Sequence, residues 1–306
     1  MSTDNPKSND SRWFCPLYSF NCDCENVNLA EGIQIIPIPK IFLEYLSSNY
    51  SHHLKTLPSE TEWVASIPVN GYGYFASNDL LEDLMTALRL HKNGRVVAGL
   101  LTLATFNNSE WTIGGHTSWT SVSSLDFFQE DPIYNLRHLD VAEINKLLLD
   151  IRAWRKDQVL NEIKIALERF HSSYHKSVEY RIIDQITAFE SLYLGHDPEL
   201  RYRLALRAAF LLGGMNKKYR ENIFNFMKKA YKLRSNIVHG NNTPNKDILR
   251  PIVIITREFL RQSICKFLFL LSHGNTLKGL NTESDSELAK LDENILNNGE
   301  TFTFSD

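Results

Sequence analysis

Cysteine is scarce in this chain: four residues among 306. That is too few for a disulfide framework at this length, so free thiols and a reducing, cytoplasmic setting are expected. Long apolar runs are absent too, which leaves no candidate for a membrane-spanning helix. The start, Met1 to Arg12, is polar and carries Asp4 and Asp10, so it does not read as a secretion signal. Gly71-Tyr72-Gly73 and Gly114-Gly115-His116 lack the strand-to-helix context of a phosphate loop and read as turns. Cys15, Cys22 and Cys24 lack the paired spacing of a zinc site. No metal and no cofactor is assigned from the sequence.

What is present is the composition of a globular protein, 43% hydrophobic and 23% charged. The net charge of −3 hides an uneven distribution. Arg201, Arg203, Arg207, Lys217, Lys218, Arg220, Lys228, Lys229, Lys232 and Arg234 are accompanied by a single acid, Glu221. The stretch from Glu283 to Asp306 is acidic, with Lys290 alone opposing. A basic field of this kind suits a polyanion. The competing reading is a set of solvated helix faces.

Residues 1–30 read as flexible, and strand-like and helical pieces then alternate to about residue 139. Ile33–Ile38 and Trp63–Val69 have strand character, and Leu80–Leu90 is amphipathic. Arg95–Thr105 and Trp111–Thr120 read as strands joined by a turn. From Asp140 the pattern is helical throughout. Helices are expected over Asp140–Trp154, Asp157–Tyr174, Val178–Leu194, Glu199–Leu212, Tyr219–Val238 and Asp247–Ser272. Gly195, Gly213-Gly214 and Gly240 punctuate them. The predicted fold is α+β: a mixed α/β domain over residues 1–139, an all-α antiparallel helical bundle over 140–275, and an acidic, disordered tail over 276–306.

The most specific stretch is Arg234-Ser235-Asn236-Ile237-Val238-His239-Gly240, at the end of the fifth of these helices. A guanidinium is always charged and forks onto phosphate. An imidazole exchanges a proton near neutral pH. Glycine just past a helix end accepts a left-handed cap. Arg234 and His239 are five residues apart, about 140° around a regular helix. They therefore meet only if the last turn unwinds or if a second copy of the motif faces the first. The competing reading of His239 is a side chain that complements the helix dipole. Arg234 can equally be a structural ion pair, with Glu190 as its partner. Tyr231, one turn before Arg234, reads most simply as core.

Three segments in order carry a resemblance to the Apea-like branch of the HEPN ribonuclease superfamily. They are Arg181-Ile-Ile-Asp184 continuing to Ala188-Phe-Glu190-Ser-Leu192, Arg203-Leu-Ala-Leu-Arg207-Ala-Ala-Phe-Leu-Leu212, and Tyr231-Lys-Leu-Arg234-Ser-Asn-Ile-Val-His239-Gly240. The resemblance implies a metal-independent endoribonuclease, dimeric, of the kind found in anti-phage and toxin–antitoxin systems. It implies that two copies of the motif line one cleft between subunits. The expected catalytic group is Arg234, His239, Ser235 and Asn236, supported by Glu190, Asp184 and Tyr231. RNA is expected along Arg203, Arg207, Lys228, Lys229 and Lys232. An antitoxin or sensor protein is the other expected partner, and no membrane is. The alternative is a non-catalytic HEPN-like module that binds RNA or dimerises.

Overall fold

The computed structural model describes residues 10–54, 62–69, 73–107, 110–118, 132–156, 161–174, 176–194, 200–240, 244–272, 291–293 and 295. The chain is α+β and divides into two units, Met1–Asp157 and Gln158–Asp306.

The first unit is built on an antiparallel sheet in the order β3 (Val27–Asn28), β4 (Gln34–Pro37), β5 (Trp63–Pro68), β1 (Asp10–Tyr18), β7 (Leu101–Asn107), β8 (Glu110–Ser118), with β6 (Val97–Ala98) also on β1. Residues 10–22, expected to be flexible, are thus its central strand and the short β2 (Phe20–Cys22). The physical reason is burial on both sides. Trp13, Phe14, Cys15, Leu17 and Tyr18 are all buried, so the strand is a continuous apolar run without the alternation that marks a half-exposed strand. Pro16 is tolerated because it falls between the pairing with β7, which ends at Phe14, and that with β6, which begins at Leu17. Gly99 lies so close to this strand that a β-carbon there would stand 2.6 Å from the Tyr18 ring. Helix α1 (Lys40–Leu54) lays Phe42 and Leu46 on Phe14, Val64 and Ala104.

Helix α3 (Val141–Lys156) belongs to this unit, not to the bundle. The sequence boundary at residue 139/140 therefore moves to 157/158. The cause is electrostatic as well as apolar. Asp83 on α2 (Gly73–His91) is fully buried and receives Arg155 Nη2 at 2.6 Å and Arg152 Nη1 at 3.3 Å. A buried carboxylate without those cations would be strongly disfavoured, so α3 is tied to α2.

The second unit contains α4 (Asn161–Ser172), α5 (Val178–Tyr193), α6 (Leu200–Gly213), α7 (Lys217–Val238) and α8 (Lys246–Ser272). Helix α5 packs against each of the other four, which explains why Ile182, Ile186, Phe189 and Tyr193 are buried together with Ala188 and Leu192 on other sides. Helix α7 begins two residues earlier than its apolar pattern suggested. Asn216 is its N-cap, the side chain accepting from the Tyr219 amide at 3.0 Å.

Part of the acidic segment after residue 276 is ordered against this unit, contrary to expectation. Leu291 is 4% exposed, and the Asp292 carboxylate receives Arg207 Nε at 2.8 Å and Nη2 at 2.6 Å. Arg207 also donates Nη1 to the Tyr193 carbonyl at the end of α5. Asp292→Ala would leave a guanidinium that is only 5% exposed with one partner fewer. Asp292 is itself 40% exposed, which screens the pair. The expected cost is about 1–2 kcal/mol, below the range for a wholly buried pair. Urea denaturation of the full chain checks it, and an unchanged midpoint would mean that the segment contributes no stability.

Candidate functional site

Helix α7 decides where each motif residue points. Its buried side is Ile223, Met227, Ala230 and Leu233. At 100° per residue Arg234 falls on that side of the helix. It is only partly exposed there, and its Nη2 lies 3.3 Å from Glu190 Oε2 on α5, with the two side chains 24% and 22% exposed. Tyr231 completes the group by donating its hydroxyl to Glu190. Burial first, then the Glu190 charge, raises the Tyr231 pKa. Glu190 therefore sits between Tyr231 and Arg234 and holds both. The hold on Arg234 is incomplete. Its Nε is buried with no hydrogen-bond partner among the described residues, and a buried donor left unmatched costs about 1–3 kcal/mol. An anionic oxygen reaching that edge would relieve the cost.

His239 faces elsewhere. Lys228, Lys232, Ser235 and His239 follow one another at intervals of four, three and four residues, which aligns them as a single stripe. Lys232 and His239 are exposed, and Lys228 and Ser235 partly so. The helix stays regular to its end. The His239 amide donates to the Ser235 carbonyl at 3.0 Å, His239 is the C-cap, and Gly240 follows with φ +67°. The last turn does not unwind, so one chain alone leaves Arg234 and His239 on different sides of α7. Asn236 lies in the same final turn, partly buried.

The other expected residues divide. Asp184 does not join this group. It is buried and pairs with Arg169 Nη1 at 3.1 Å and Lys176 Nζ at 2.6 Å, closing the α4–α5 connection. The polar residues of α5 thus serve two different clusters, because Asp184 and Glu190 are about 9 Å apart along the helix axis. Arg207 is committed to Asp292 and to the Tyr193 carbonyl, so it is not a free cation for a polyanion. Its charge was legible in the sequence; its burial was not. Arg203 is partly exposed, and Lys229 is exposed.

One surface residue escaped the sequence reading. Tyr202 on α6 is about half exposed and meets Phe224 on α7 edge to face, the ring centroids 5.6 Å apart. The Lys228 ammonium lies over the same Phe224 ring at 5.0 Å. The available signal was an aromatic flanked by Arg201 and Arg203. The thiols also regroup. Cys15 is fully buried in β1, whereas Cys22, Asp23 and Cys24 bring their ligand atoms within 4.8 Å of one another in the first unit.

No helix among the described residues is long and apolar enough to cross a membrane. In comparisons with known proteins, no protein-family model, no curated protein and no solved structure matches the chain.

Proposed function

We propose that the second unit is a metal-independent endoribonuclease of the HEPN type, acting as a homodimer. The observation that carries the reading is the half-engaged Arg234. Its guanidinium meets Glu190 through Nη2 alone, and the neighbouring Nε on the same edge is buried with no hydrogen-bond partner among the described residues. The stripe of Lys228, Lys232, Ser235 and His239 supplies the cations and imidazole that an RNA strand would follow. Tyr202 beside Lys228 offers an aromatic on which a base can stack.

In this mechanism the RNA 2′-hydroxyl attacks the adjacent phosphorus and the bond to the 5′-oxygen breaks. His239 takes the hydroxyl proton or returns one to the leaving oxygen. Arg234 stabilises charge growing on the phosphoryl oxygens. Ser235 and Asn236 orient the phosphate or the imidazole. A pair that diverges within one chain is completed across a two-fold axis, where Arg234 of one copy faces His239 of the other. A role in anti-phage defence or a toxin–antitoxin system, alongside an antitoxin or sensor protein, accords with this chemistry. So does a cytoplasmic location.

The products test the reaction. Cleaved RNA is expected to carry a 2′,3′-cyclic phosphate and a 5′-hydroxyl, and a 2′-deoxy substitution at the cut site is expected to block cutting. Ends bearing a 5′-phosphate would refute attack by the neighbouring hydroxyl. The second reading, a non-catalytic module that binds RNA or dimerises, is favoured by the ion pair itself, since an arginine held by Glu190 can be purely structural.

A further inference from the structure

The strongest unassigned cluster lies in the first unit, at the end of β2. Strand β2 pairs in parallel with β9 (Tyr134–Leu136), with Cys22 opposite Leu136. The Asp23 amide continues the ladder by donating to the Leu136 carbonyl at 3.1 Å. Because the two strands run in the same direction, the residues that leave them travel together. Asp23 and Cys24 emerge beside Arg137 and His138, although more than a hundred positions separate them in sequence.

We infer that Cys22, Asp23, Cys24 and His138 form a binding site for a thiophilic divalent cation, zinc(II) by its chemistry. Two sulfurs, a carboxylate and an imidazole are a donor set that suits zinc and excludes the oxygen-seeking magnesium and calcium. The distances are close to those of a filled site. With zinc–ligand bonds of about 2.0–2.3 Å, the ligand atoms of a tetrahedron stand about 3.3–3.8 Å apart. Cys24 Sγ lies 3.3 Å from Asp23 Oδ1 and 4.0 Å from His138 Nδ1. Cys22, Asp23 and Cys24 bring one ligand atom each within 4.8 Å of one another. His138 stands outside that group beside Cys24 and would swing in on binding, and Cys22, Cys24 and His138 sit where the surface allows an ion to enter.

Two further observations point to a cation rather than to a chance cluster. The Cys24 amide donates to Cys22 Sγ at 3.3 Å, a contact that holds the Cys22 sulfur against the turn carrying Cys24. The His138 amide donates to Asp23 Oδ1 at 2.8 Å, which fixes the carboxylate beside the sulfurs. Four protein ligands leave no open position, so the role is structural. The ion would clamp the end of β2 to the 3-10 turn His138–Asp140, and it supplies no group to the proposed phosphodiester chemistry.

The full-length chain, purified under reducing conditions and dialysed against zinc, tests this. About one zinc per chain is expected by elemental analysis, lost in Cys22→Ser with Cys24→Ser and sharply reduced in His138→Ala. A second measurement needs no variant. Zinc is expected to protect Cys22 and Cys24 of the wild-type protein from alkylation, read by peptide mass spectrometry, while Cys265 on α8 reacts at an unchanged rate. Equal zinc content in wild type and variants, or alkylation of Cys22 and Cys24 at the same rate with and without zinc, would overturn the site.

Discussion

Replacing His239 by alanine is expected to slow RNA cleavage by about 10²- to 10⁴-fold, the usual worth of a positioned proton-transfer group. RNA affinity is expected to stay near that of the wild type. The reason is geometric. His239 ends an exposed stripe whose cations, Lys228 and Lys232, are separate residues, so removing an imidazole leaves the phosphate contacts in place. The substitution is also mild for the fold. His239 is the C-cap, its amide bond to Ser235 is made by the backbone, and Gly240 supplies the left-handed turn. A variant that cuts RNA at the wild-type rate would remove His239 from the chemistry and leave the non-catalytic module standing.

Arg234→Lys is the second large effect, with an expected loss of about 10²- to 10³-fold in cleavage rate, comparable to removing one oxyanion donor. Lysine keeps the charge and can still pair with Glu190, so the bundle persists. It loses the planar fork, and with it the buried Nε donor that has no partner among the described residues and that a phosphoryl oxygen would meet. Single-turnover cleavage measures the loss, and an unchanged rate would make the arginine structural. Combining the two variants tests symmetry. Co-expressed Arg234→Lys and His239→Ala chains are expected to recover about a quarter of the wild-type rate. Half of randomly formed dimers are mixed, and each mixed dimer carries one intact Arg234 facing one intact His239. No recovery would mean that the pair acts within one chain, which the regular end of α7 opposes.

Much of the bundle was legible because helix periodicity is a local property. The starts and ends of α5, α6 and α8 follow their apolar spacing and flanking residues to within one residue. Glu190 was legible as the partner of Arg234 for the same reason, since its helical position makes it half-buried and in need of a cation. The central strand β1 was not. Its apolar run carries no alternation, and Pro16 argues against a central strand until the gap between β7 and β6 is known. Nor could α3 be assigned to its unit, because the deciding contacts, Arg152 and Arg155 on Asp83, span about seventy positions.

The sequence by itself determined the class of the fold, the helical register of the second unit and the presence of an arginine–histidine pair five residues apart. These depend on backbone preference and on spacing along one helix, which each segment carries alone. Only the tertiary structure decided which charges are free. It buried Arg207 against Asp292, gave Asp184 to Arg169 and Lys176, and left Arg234 Nε without a partner among the described residues. It alone brought His138 to Cys24, beside Cys22 and Asp23. Burial and partner choice arise from contacts between distant segments, and a residue's identity does not encode which segment will face it.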